Sequence, residues 1–325
     1  EGIAHHQIPL GGGGLGENQR RGKRTLVFAR HGSAVQESCE RDNACPNYWH
    51  FSPYGSCPYD CAYCYLAGTR AVAISPTVKI FLNLREILQR VHEKAMGLAR
   101  PTAFYLGKLQ DGLALEPLAG YVQAAVPFFA AHRYARLIVL TKSADVDSLL
   151  GLDHRGATTL SWSLNAPEVS QRFERNTPPV ADRVTAMRRA AESGYPVRAV
   201  LMPLVPVPGW REAYSAFLDA LLDEVPALSR LTLGAICSYR TAQTLMEEKL
   251  GRENAISLHF DLASRRQGDG RLRYPFALRT EMYRFLLDRI RRRRPALEIG
   301  LCLEDPALFD LLAPLTAPGR CNCVL

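Results

Sequence analysis

The chain is expected to fold as an α/β protein, a partial (β/α)6 TIM-like barrel with short N- and C-terminal extensions. Three observations predict it. Strand-like and helix-like stretches alternate between residues 77 and 301, as in βα units built on a parallel sheet. No linker composition interrupts residues 50–303. A chain of 325 residues with 47% hydrophobic and 22% charged content can also bury one full core. The expected division is an N-terminal arm and irregular lead-in over 1–47, the barrel over 48–303, and a C-terminal helix with a cysteine-containing tail over 304–325.

Taken in order, residues 1–24 carry four glycines at 11–14 and a basic run over 20–24, and read as an arm without a core of its own. A short strand is expected at 25–29. Residues 33–56 read as irregular, with Tyr48, Trp49 and Phe51 packing beside the loop that follows. A strand at 77–82 leads into a helix over 84–99, where apolar residues at 84, 87, 88, 91 and 95 keep the helical period. Further strands are expected at 103–106, 136–141, 158–164, 197–202, 231–236 and 297–301. Helical patterns fill the intervals at 115–132, 145–150, 179–193, 210–222 and 277–293.

The bulk numbers bound the setting. A net charge of +8 would suit a phosphate-bearing partner, but no stripe of basic residues interleaved with aromatics supports one. Nucleic acid is therefore the less favoured partner, behind a small-molecule substrate. Nowhere do eighteen apolar residues run together, so no membrane association is expected, and Glu1 to His6 lacks the regions of a signal peptide. Nine cysteines form an odd set that argues against a secreted disulfide framework. A reduced, cytoplasmic and monomeric protein is expected.

Chemistry concentrates in Cys57, Cys61 and Cys64, spaced C-x3-C-x2-C within eight residues. One tight loop can wrap three such thiolates around a compact soft-metal centre. Three ligands leave one coordination position open, which a reactive site needs and a structural one does not. Zinc stays open as an alternative, with His50 as the nearest fourth ligand. In a parallel barrel, functional groups collect beyond the C-terminal strand ends. That rule selects Lys108, Gln110 and Asp111, then Thr141, Lys142 and Ser143, then Ser161, Ser163 and Asn165. A cation there can meet a carboxylate, and hydroxyls and amides can hold ribose or adenine. Arg172, Arg175 and Arg198 are candidates for a phosphate or carboxylate, with a solvated helix face as the equal alternative. Glu304 and Asp305 read as a cap for a helix at Pro306 or as substrate ligands.

The cysteine loop, with Tyr63 between its last two cysteines, resembles the signature of the radical S-adenosylmethionine (SAM) superfamily. Cys61-Ala62-Tyr63-Cys64-Tyr65-Leu66, Leu140-Thr141-Lys142-Ser143 and Ser161-Trp162-Ser163-Leu164-Asn165 further resemble successive blocks of the spore photoproduct lyase family. The resemblance covers roughly residues 50–210. It implies a [4Fe-4S] cluster on the three cysteines and contacts from Tyr65, Lys142 and Ser163 to SAM. With Tyr63, Gln110 and Asn165, these make the expected cofactor-binding set. It also implies an external electron donor of flavodoxin or ferredoxin type.

One departure stands out. The family places a hydrogen-donating cysteine after the third strand, where this chain has Lys108, with Gln110 in place of a serine two residues on. A lysine N–H bond is too strong to replace a thiol there. The remaining cysteines have three readings: incidental core thiols, a hydrogen or electron donor among Cys237, Cys302, Cys321 and Cys323, or an auxiliary metal or cluster site that also uses Cys39 and Cys45. Lys108, Cys302, Cys321 and Cys323 are the expected catalytic positions. The expected reaction is cleavage of SAM to a 5′-deoxyadenosyl radical, followed by hydrogen abstraction from a nucleoside, nucleotide sugar or natural-product precursor. DNA lesion repair with a relocated cysteine donor is the first alternative. Cleavage to an aminocarboxypropyl radical is the second.

Overall fold

Seven parallel strands carry the two-faced burial that a barrel wall needs, and one antiparallel strand borders them. The computed structural model describes residues 13–69, 72, 74–263, 269–316 and 320–325. In chain order the strands are β1 (Val35–Ser38), β2 (Tyr48–Phe51), β3 (Thr102–Leu106), β4 (Ala135–Thr141), β5 (Thr158–Leu164), β6 (Val197–Leu204), β7 (Leu228–Ala235) and β8 (Glu298–Leu301). From β2 to β8 they lie side by side in sequence order, all parallel, while β1 runs antiparallel to β2. β8 and β1 are not paired, so the barrel is partial. A backbone bond from Ala44 N to Glu304 O, 2.9 Å long, bridges the two ends of the sheet.

Strand residues alternate between two cores, as the period of two requires. Phe104, Leu137, Val139, Leu160, Trp162 and Leu231 face the helices, among them Leu84–Leu98, Tyr121–Ala131, Val180–Glu192, Trp210–Glu224 and Phe276–Arg293. The intervening Ala103, Tyr105 and Ile138 face inward and pack against Cys321 and Cys323. The inner face is thus filled by the C-terminal segment of the same chain.

The α/β partial barrel expected from the alternation is present, with four local differences. The stretch read as irregular holds β1 and β2, whose four-residue strands are too short to show a period. The strand expected at 77–82 forms as Val78–Phe81, but pairs with Leu26–Ala29 and Tyr54–Gly55 in a separate three-stranded sheet. The helix expected over 115–132 breaks at Gly120 (φ +63°), where the left-handed turn suits glycine. The Glu116 carboxylate then accepts from the amides of Val122 and Gln123 at 2.8 and 2.7 Å, capping the second helix. No helix forms over 145–150, because so short a stretch cannot offset helix nucleation while its Val146 and Leu149 are buried from a turn. Residues 1–12, half of the expected arm over 1–24, lie outside the described residues, but Leu15–Lys23 is helical.

Candidate active site

The cysteine loop is held from three sides. Ser56 enters it with φ +63°, Asp60–Cys61 pairs antiparallel with Glu174–Arg175, and Ala62 N donates to Phe173 O at 2.7 Å. From the N-terminal helix, Lys23 donates to the carbonyls of Cys57 (3.0 Å) and Tyr59. Lys249 pairs with Asp60 at 2.6 Å. Cys57 and Cys64 line a small cleft shared with Gln19, Lys23 and Leu66.

The chemistry of this donor set fits a soft metal centre. Burial, with Asp111 and Cys64 adding, pushes the Cys57 thiol up to about 12. Burial raises Cys61 as well, and Cys57 and Cys64 add their repulsion. Cys57 and Cys61 so placed stay protonated unless a cation offsets the charge they would carry. Among the described residues, no three His, Cys, Asp or Glu side chains are closed to metal-ligand distance. His50, the expected fourth zinc ligand, lies on β2 and is buried. Its charged neighbours are Lys108, Glu40 and His31, and burial lowers it to about 4.

Behind the loop, Glu174 organises the strand ends. Its carboxylate meets Arg183 Nη1 at 2.6 Å and Lys142 Nζ at 3.3 Å, and accepts from Ser170 Oγ (2.9 Å) and the Tyr63 hydroxyl. Burial opposes the charge, but Lys142 and Arg183 hold Glu174 down at about 2. Lys142 also donates to Ser163 Oγ and lies 5.9 Å from the Tyr63 ring centre. Asp111 fastens β3 to β4. It accepts from Thr141 Oγ1 (2.6 Å), Lys142 N (2.6 Å), Leu113 N (3.0 Å) and Ala114 N (2.9 Å).

The other expected cofactor residues divide. Tyr65 donates its hydroxyl to the Lys108 carbonyl, placing its ring between the loop and the end of β3. Gln110 donates to Phe51 O at 3.2 Å, and its Oε1 is buried without a partner. Asn165 is committed: Nδ2 donates to Pro203 O (2.7 Å), and Oδ1 accepts from Ala166 N (3.0 Å) and Tyr214 (2.8 Å). Lys108 is bound to Ser38 Oγ and to Glu40 at 2.9 Å. Burial opposes the charge of Glu40, but hydrogen bonds from Arg271 and Lys108 hold it at about 2.

The C-terminal tail lies inside the sheet. Ser161 Oγ donates to Asn322 Oδ1 (3.0 Å). Arg198 donates to the carbonyls of Asn322 (3.2 Å) and Val324 (2.7 Å), and Arg230 to those of Cys321 (2.9 Å) and Val324 (2.8 Å). Arg198 therefore holds backbone, while Arg172 and Arg175 are exposed. A methyl at Gly300 would stand 2.1 Å from the Arg320 carbonyl oxygen, so the tail passes where β8 has no side chain. Cys237 lies off the main sheet, buried beside Arg271. Asp305 caps the last helix through Leu308 N (2.9 Å), whereas Glu304 is engaged by Arg279 and, at 2.6 Å, Tyr283.

Glu174, Arg183 and Glu40 escaped the sequence reading. Nothing local marks them, since each acts on a residue at least nine positions away: Glu174 on Arg183, Lys142 and Tyr63, and Glu40 on Lys108 and Arg271.

Known proteins resemble this chain in sequence and fold. Residues 3–287 fit the family model described as spore photoproduct lyase. Spore photoproduct lyase of Bacillus subtilis (strain 168) is 29% identical over 213 residues, 65% of this chain and 60% of that protein. The protein of the same name from Clostridium acetobutylicum is 29% identical over 206 residues, 63% of this chain and 59% of that one. The match therefore spans about three fifths of each curated relative. A solved spore photoproduct lyase variant with bound AdoMet and dinucleoside spore photoproduct superposes with a TM-score of 0.76 at 22% identity, covering 91% of this chain and 87% of that one. That likeness extends the fold over nearly the whole chain. Among the described residues, no helix is long and apolar enough to cross a membrane.

Proposed function

This chain belongs to the spore photoproduct lyase family, and from that premise we propose that it is a radical SAM lyase acting on a dinucleoside lesion in DNA. The small-molecule substrate expected from composition recedes, because the relatives and the +8 charge both favour a nucleic-acid substrate. Residues 48–303 form its catalytic unit.

One observation carries the reading: Lys142, Ser163 and Tyr63 gather around Glu174 directly behind the cysteine loop. Cys57, Cys61 and Cys64 would hold the [4Fe-4S] cluster and leave one iron open. When bound and reduced by a flavodoxin- or ferredoxin-type donor, the cluster supplies the electron for reductive cleavage of SAM. Lys142 offers an ammonium to the SAM carboxylate, and Ser163 a hydroxyl beside it. Tyr65 closes the side toward β3, and the spare Gln110 Oε1 is an acceptor for a hydroxyl or amine. Glu174 orients Lys142 and Tyr63, and Asn165 joins two strand ends without touching the ligand. Lys108, fixed between Ser38 and Glu40, fastens the chain after β1 and returns no hydrogen to product.

The test is anaerobic, reduced protein given SAM and the dinucleoside spore photoproduct, with products followed by mass spectrometry. Conversion to the repaired thymine dinucleoside is expected, and none with Cys64→Ala. Cleavage of SAM with an untouched dinucleoside would overturn the lesion assignment.

A further inference from the structure

We propose that Cys45, Cys302, Cys321 and Cys323 form a binding site for a single tetrahedral thiophilic cation, zinc, separate from the cysteine loop. The four thiols come from three stretches of chain: the lead-in to β2, the end of β8 and the tail. Cys321 is the hub. Its sulfur stands 3.8 Å from that of Cys323, Cys302 packs against the same small core as both, and Cys45 Sγ accepts from Leu303 N, the residue after Cys302. Incidental core thiols have no reason to converge from three segments onto one another.

The spacing selects the metal. Zinc–thiolate bonds of about 2.3 Å in a tetrahedron place sulfurs about 3.8 Å apart, which is the separation of Cys321 and Cys323. A cubane cluster must fit eight inorganic atoms between its cysteines, and the 3.8 Å between Cys321 and Cys323 leaves no room for them. The surroundings suit thiolates too. Leu303 N donates to Cys45 Sγ at 3.4 Å, and Arg198, Arg230 and Lys108 bring positive charge to this side of the sheet. All four cysteines are free.

Among the described residues no three such side chains are closed around a metal position, so the four thiols must turn to reach one. Binding releases four protons to solvent and turns the side chains inward, giving four sulfur–zinc bonds with no change in oxidation state. The site would staple the open seam of the barrel, where Ala44 N already meets Glu304 O, and fix the tail that Arg198 and Arg230 hold.

The test is metal analysis of the full chain with its loop cluster loaded, joined to zinc X-ray absorption. About one zinc per chain is expected, in a shell of four sulfurs, and Cys321→Ser/Cys323→Ser should lose it while keeping the loop iron. Zinc at background, or a shell with three or fewer sulfurs, overturns the proposal. So does roughly doubled iron that falls in the double variant, which would make this a second cluster. The absorption shell needs no variant, so a double variant that fails to fold leaves the test intact.

Discussion

The mouth of the sheet and its inner face both gather thiols beside buried cations, yet they do so in opposite ways. At the mouth, three cysteines sit within eight residues, and the cations Lys142 and Arg183 converge on one carboxylate, Glu174. On the inner face, four cysteines arrive from three segments, and Arg198 and Arg230 are bound to the carbonyls of a tail that fills the space. The first arrangement fixes side chains and leaves an open side for a ligand. The second consumes its polar groups in holding the chain itself. Buried charge alone does not mark a reactive site; what matters is whether its partner leaves a face unoccupied.

The sharpest way to break that contrast is Cys64→Ala. It should abolish SAM cleavage while leaving the circular dichroism spectrum unchanged, since the strapping of the loop runs through Asp60, Ala62 and Lys23. Unfolding of this variant would mean that the loop thiols support the fold as well. Next in size is Glu174→Gln, which leaves Arg183 and Lys142 buried with no counter-charge. We expect a loss of about 3–5 kcal/mol in urea unfolding. The sign with pH follows from the carboxylate being held at about 2, against an ordinary 4.5. Its contribution is complete above pH 4.5 and fades as the pH falls toward 2. The acid-side slope of wild-type stability should therefore flatten in the variant.

Two smaller effects separate the regions. Lys142→Ala should weaken SAM binding by roughly tenfold or more, the worth of a charged hydrogen bond of about 1.5–3 kcal/mol, as read by calorimetry. Gly300→Ala should cost about 1–3 kcal/mol by overpacking against the tail and leave SAM affinity unchanged. A change of SAM affinity in that variant would show that the tail and the mouth are coupled.

The sequence made the mouth legible because its determinants are local. The C-x3-C-x2-C spacing, the residues just past each strand end and the strand–helix alternation all lie within short windows, and the alternation folds as the expected partial barrel. What stayed hidden is long-range. Glu174 reveals its role only through Lys142, 32 positions earlier, whose ammonium it meets at 3.3 Å. β1 and β2 are too short for a period, and the strand at Val78–Phe81 looked like a barrel strand because pattern carries no information on pairing partner. Gly300, which admits the tail inside the sheet, is silent in sequence.

The most direct test uses reduced protein with SAM and no other substrate, followed by mass spectrometry of the cleavage products. Formation of 5′-deoxyadenosine with methionine, lost on Cys64→Ala and reduced on Lys142→Ala, is the predicted result. Methylthioadenosine in their place, or no SAM cleavage by protein carrying a full loop cluster, would contradict it.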